Sequence, residues 1–147
     1  MEQGVQILLV DDDQTILRAV RLLLELDGHK VWEAEDGEVA LQLLAVRKFD
    51  VVITDSFMPG MEAAQLVSRI RQMRPEQPII MAMAFRQECQ AFGQRPGRLG
   101  AMLRKPFTLT ELQDAIKQVL TTHSQDQPSI GMVSATKPQD VFLPPNP

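Results

Sequence analysis

Apolar positions along the chain change period repeatedly, and each change predicts an element. Val5-Gln-Ile-Leu-Leu-Val10 is short, nearly all apolar and halted by a block of acids, which predicts a buried strand. From Gln14 to Leu26 the period becomes helical, with Ile16, Leu17, Val20, Leu23 and Leu24 on a repeating face. Asp13 can cap the start of that helix and Gly28 can end it. His29 to Ala34 reads as a second strand, Asp36-Gly37 as a turn, and Val39, Ala40, Leu43 and Leu44 as a second amphipathic helix. Val51-Val-Ile-Thr54 predicts a third strand, with Asp55 at its C-terminal end and a turn at Met58-Pro-Gly60. A third helical stripe follows at Ala64, Val67, Ile70 and Met73, closed by Pro75. Ile79-Ile-Met-Ala82 is the fourth strand and Ala101-Met-Leu103 the fifth. Between them, Phe85 to Leu99 contains Gly93, Pro96 and Gly97, which predicts a short or broken helix. The last helix has Leu109, Leu112, Ala115, Ile116, Val119 and Leu120 on one face, with Thr108 and Glu111 in capping-box spacing.

Strand–helix alternation repeated five times predicts an α/β fold, a doubly wound parallel sheet with helices on both faces. From His123 the composition shifts to Pro, Ser, Gln, Asp and Thr, with five prolines and too little apolar surface to fold. The expected organisation is one domain over 1–122 and a Pro-rich, disordered tail over 123–147. Composition narrows the function. A net charge of −4 disfavours binding nucleic acid through its phosphates. Aromatic residues are 5% with no tyrosine, so stacking platforms for single strands are not expected. No apolar run approaches ~18 residues, so no membrane span is expected. The opening Met1-Glu-Gln-Gly lacks the features of a secretory signal, and Cys89 is the one cysteine, so a reduced, cytoplasmic setting is the expectation.

In doubly wound folds, ligands sit outside the C-terminal strand ends. Asp11-Asp12-Asp13 ends the first strand, Asp55 ends the third, and Lys105-Pro106 follows the fifth. Clustered carboxylates raise one another's pKa unless a cation joins them, and oxygen ligands of this kind suit Mg²⁺. A lysine across from them can balance a phosphoryl oxygen. Taken singly, each group reads as a helix cap or a solvated lysine; together at three strand ends they read as a site.

Three segments carry a family resemblance: Ile7-Leu-Leu-Val-Asp-Asp-Asp13, Asp50-Val-Val-Ile-Thr-Asp-Ser-Phe-Met-Pro-Gly60 and Leu103-Arg-Lys-Pro-Phe107. On these, residues 5 to 121 resemble a bacterial two-component response-regulator receiver domain of the single-domain, chemotaxis-regulator type. The resemblance implies a flavodoxin-like strand order 2-1-3-4-5. It implies that Asp55 accepts a phosphoryl group from a sensor histidine kinase or histidine phosphotransfer protein, and that output passes to a downstream protein target. It further implies Mg²⁺ held by Asp11, Asp12, Asp55 and the backbone carbonyl of Phe57, and a lysine, Lys105, on acceptor and phosphoryl group. Such a domain is a signalling receiver that catalyses only its own phosphorylation and dephosphorylation.

Two positions depart from the family. Where it places Ser or Thr at the end of the fourth strand, this chain has Met83; where it places an aromatic residue three before the lysine, this chain has Met102. A methionine cannot donate a hydrogen bond to a phosphoryl oxygen. Ser56 is a poor substitute, because strand alternation points it away from Asp55. Phe57 and Phe85 occupy the two positions that tune access to the acceptor, and either cover the acid or simply pack in their loops. These departures keep open a receiver-like interaction module that works without phosphate. A second alternative is a haloacid-dehalogenase-type phosphatase, since Asp11-Asp12-Asp13-Gln14-Thr15 fits its first motif with Asp11 as nucleophile and Asp13 as acid/base. That family needs a later acidic pair, and beyond Lys105 only isolated Asp114, Asp126 and Asp140 follow.

Overall fold

The computed structural model describes residues 4–56, 60–83 and 100–125 of the 147. Five parallel strands form one sheet: β1 (Gln6–Val10), β2 (Lys30–Ala34), β3 (Val51–Asp55), β4 (Ile79–Met83) and β5 (Gly100–Arg104), in the order β2-β1-β3-β4-β5. Four helices are described: α1 (Gln14–Leu26), α2 (Gly37–Val46), α3 (Ala63–Met73) and α4 (Leu109–Gln125). The expected fold class and strand order are thus observed, with each strand boundary within a residue or two of its apolar run. The short or broken helix expected over 85–99 and the tail from 126 onward lie outside the described residues, and the helix ending at Gln125 runs past the expected domain boundary at 122.

Strand alternation divides the core in two. Ile7, Leu9, Val31, Val51, Ile53, Ile80, Ala101 and Leu103 face α1 and α4, where Leu17, Val20, Leu24, Leu112, Ile116 and Val119 meet them. Leu8, Val10, Ala34, Val52, Ile79, Met81 and Met83 face the other side, packed with Ala40 and Leu44 of α2 and Leu66, Val67 and Ile70 of α3. Buried on both faces, the strands need near-continuous apolar sequence, and β3 and β4 are buried at every position.

Caps fix where the helices start. The Asp13 carboxylate accepts from the backbone N–H groups of Thr15 (2.9 Å) and Ile16 (3.3 Å), and that of Asp36 from Val39 (2.9 Å). Asp36-Gly37, expected as a turn, is a cap and first helical residue. Thr108 and Glu111 form the expected capping box, at 2.8 and 3.1 Å. Gly28 ends α1 at φ 96°, in the left-handed region that favours glycine. At Gly100, φ is 106° and a Cβ would stand 2.5 Å from the Ile79 carbonyl oxygen, so β5 can lie against β4 there only without a side chain.

Candidate functional site

Three odd-numbered strand series deliver the site. Ile7–Leu9–Asp11, Val51–Ile53–Asp55 and Ala101–Leu103–Lys105 each continue one face of the sheet past its last buried apolar residue. Asp55 stands level with Ala82, and Ala82 with Leu103, across adjoining strands. The polar ends therefore converge on the side that carries α1 and α4.

The contacts are direct. Lys105 Nζ donates to Asp55 Oδ1 at 2.7 Å and lies 3.6 Å from Asp11 Oδ2. The backbone N–H of Asp13 donates to Asp11 Oδ1 at 3.0 Å, fixing that carboxylate at the mouth of α1. Asp11, Asp12 and Asp55 can each bring an oxygen within 4.8 Å of the other two. Asp11 is 5% exposed and Asp55 9%, while Asp12 is open to solvent. The peptide frame is held as well: Asp11 N–H donates to Ala34 O (3.1 Å), Ser56 N–H to Ala82 O (2.9 Å) and Lys105 N–H to Met83 O (2.8 Å).

Electrostatics make this a site short of positive charge. Burial pushes the Asp11 carboxyl above the usual carboxylate range; Asp55 and Asp12 push the same way, against the Asp13 N–H and Lys105. Burial pulls Lys105 down, but the hydrogen bond and charge of Asp55, with Asp11 behind it, outweigh that and hold it above the ordinary lysine value. Among the described residues, three carboxylates face one ammonium, a formal excess of two negative charges that a divalent cation would neutralise. An all-oxygen donor set with one solvent-open member fits a hard ion that retains waters, the description of Mg²⁺.

Of the residues singled out from the sequence, Asp11, Asp12, Asp55 and Lys105 come together. Asp13 is the cap of α1. Phe57 and Phe85 lie outside the described residues. Met83 and Met102 are placed on the other face of the sheet: Met83 is fully buried among the α2 and α3 contacts, and Met102, level with Met81, packs against the same cluster. Sequence reasoning missed Thr54, whose buried hydroxyl donates to the Asp55 carbonyl oxygen at 3.1 Å. It also missed Gln14, whose amide donates to Glu35 at 2.8 Å and so links the start of α1 to the loop after β2. Alternation from Asp55 would have placed Thr54 inside; nothing in the sequence marks the Gln14–Glu35 pair.

Three acids at the ends of the neighbouring strands β1 and β3, and a lysine after β5 on the same face, close one end of a doubly wound sheet. The chain belongs to the response regulator receiver domain family, which matches residues 7–117. It is similar to the chemotaxis protein CheY-3 of Vibrio cholerae, at 32% identity over 122 residues, 81% of this chain and 94% of that protein. It is 30% identical over 123 residues to the response regulator MprA of Mycobacterium sp. (strain KMS), covering 84% of this chain, but spans only about half (54%) of that regulator's length. Among solved structures, the signal receiver domain of an HD domain-containing protein from Pseudomonas fluorescens Pf-5 superimposes with a TM-score of 0.75 at 31% identity, covering 85% of this chain and all of that one. Membership of this family sets aside the phosphatase reading, and Asp13 is engaged as a cap. Among the described residues, no helix is long and apolar enough to cross a membrane.

Proposed function

We propose that this chain is the phosphoacceptor of a two-component phosphorelay, working in the cytoplasm and taking a phosphoryl group from a histidine kinase or histidine phosphotransfer protein onto Asp55. The observation that carries the reading is the 2.7 Å contact of Lys105 Nζ with Asp55 Oδ1, with Asp11 and Asp12 oxygens within 4.8 Å. In the transfer, a carboxylate oxygen of Asp55 forms the new bond to phosphorus. The bond from phosphorus to the donor's imidazole nitrogen breaks, and its electron pair stays on that nitrogen, leaving an acyl phosphate on Asp55. The ammonium of Lys105 spends one donor on Asp55 Oδ1 and has others to offer a phosphoryl oxygen, where charge builds during transfer. Asp11, Asp12, Asp55 and the Phe57 carbonyl would hold Mg²⁺, which when bound supplies charge neutralisation for an incoming phosphoryl group. Output passes to a downstream protein by surface contacts.

The switch is the atypical part of this reading. A hydroxyl at position 83 would gain a hydrogen bond on phosphorylation, and Met83 gains none; the unbranched Met102 fills space in either state with little preference. Phosphorylation is therefore expected to act near Asp55 and only weakly on the face formed by β5 and α4. Met83 and Met102 also favour a second reading, a receiver-like module that signals without phosphate. Incubation with acetyl phosphate and Mg²⁺ followed by intact mass measurement separates the two. Gain of one phosphoryl group, lost in Asp55→Asn, supports the first; an unchanged mass supports the second.

A further inference from the structure

Helix α1 carries more leucine than the sheet can use. Leu17, Val20 and Leu24 are buried beneath it, whereas Leu22, Leu23 and Leu26 are 57, 37 and 76% exposed. Leu22 and Leu26 stand one turn apart and Leu23 adjoins Leu26 at three residues' spacing, so the three form one patch, extended by Ala19. A surface helix is ordinarily polar on its outer face. The polar flank of α1 is engaged elsewhere: Arg21 pairs with Glu25 (2.9 Å) and with Glu33 of β2 (3.4 Å).

The course of the chain brings a candidate occupant to this patch. Lys117 and Leu120 of α4 line a cleft of about 140 Å³ together with Asp27 and His29, which follow the last turn of α1. Helix α4 thus passes the residues that follow α1 at Leu120 and runs on five residues to Gln125, after which residues 126–147 follow. Their one run of three large apolar residues is Val141-Phe142-Leu143, preceded by Asp140; Arg18 is exposed on α1 one turn before Leu22. The fifteen residues between Gln125 and Val141 span ~20 Å as a coil, and the patch from Ala19 to Leu26 runs only ~10 Å along the helix. Tether length, exit point and charge therefore all suit an intramolecular contact.

We propose that the outer leucine patch of α1 is the docking site of the chain's own Val141-Phe142-Leu143 segment. The rest of the tail serves as tether, in keeping with its Pro-rich composition. Chymotrypsin cleavage after Phe142, followed by mass, tests this in the whole chain. A millimolar effective concentration against a site of ~0.1 mM leaves about a tenth of the tail undocked, so cleavage should be roughly tenfold slower in the parent than in Leu26→Glu. Leu26 is the most exposed of the three, so its replacement leaves the core untouched; an unchanged melting temperature checks this, and the isolated 126–147 peptide gives the unprotected rate. Equal rates in the two chains would overturn the proposal, leaving the patch for a foreign partner. Protection that grows with protein concentration, together with a doubled mass in sedimentation, would also overturn it, in favour of a second copy.

Discussion

Replacing Lys105 by Met removes the one ammonium that the described residues bring to the acidic site while keeping the bulk of its stem. In the metal-free protein, this deletes a 2.7 Å charge-assisted hydrogen bond to Asp55 and a 3.6 Å ion pair with Asp11. Both carboxylates are nearly buried, so the loss exceeds that of a surface pair. The lysine side chain is 23% exposed, so solvent screening trims it below a fully buried one. A charge-assisted bond contributes about 1.5–3 kcal/mol when well buried; here ~1–2 kcal/mol is expected. Over a domain of this size, that is a fall in Tm of roughly 3–10 °C. Mg²⁺ should act in the opposite sense. Lys105 and the metal compete for the same carboxylate charge, so added Mg²⁺ should raise the Tm of Lys105→Met by more than that of the parent. Thermal melts in EDTA and across a Mg²⁺ series, monitored by circular dichroism, read both effects. An unchanged metal-free Tm with identical Mg²⁺ gains would show that the lysine neither supports the acids nor shares their charge.

Other consequences follow from the same geometry. A carboxyl whose folded pKa lies above its unfolded value binds its proton more tightly in the fold, so the stability that Asp11 contributes is fully present below about 3.8 and is lost as pH rises through its raised value. In metal-free melts the parent should lose stability relative to Asp11→Asn as pH rises across this range; identical pH profiles in the two would argue against a charge-strained Asp11. Asp13→Ala should lower stability by about 1 kcal/mol through loss of the α1 cap while leaving phosphorylation by acetyl phosphate intact; loss of labelling would give Asp13 a chemical role. Met83→Thr combined with Met102→Phe should enlarge the amide shift changes that beryllofluoride induces in β5 and α4. Changes already large there in the parent, or unmoved by the double replacement, would show that another route carries the signal.

The fold was legible where burial on both faces of the sheet forces continuous apolar runs, as in β1, β3 and β4, and where a capping group marks a helix start, as at Asp13 and Thr108. The acidic site was legible for a related reason: alternation carries Asp11, Asp55 and Lys105 past the ends of three buried series on one face. Contacts between distant side chains left no such trace. Gln77, buried at the foot of β4, donates to the carbonyl of Phe49 (3.1 Å), 28 residues away, and only the folded chain brings these groups together. The packing of Arg47 on Trp32, 4.2 Å above the ring, and of Trp32 edge-on to Phe49 is likewise set by tertiary proximity rather than by spacing. At Asp36-Gly37, turn chemistry and cap chemistry use the same residues, and only the Val39 N–H bond decides between them.

The identity of the acceptor is tested most directly by trapping the acyl phosphate. After reaction with acetyl phosphate and Mg²⁺, borohydride reduces an aspartyl phosphate to homoserine, and peptide mass mapping finds the converted residue. Conversion at position 55, absent without Mg²⁺ and absent in Lys105→Met at early times, is the expected result. Conversion at Asp11 with Asp55 intact would contradict the assignment of Asp55 as phosphoacceptor.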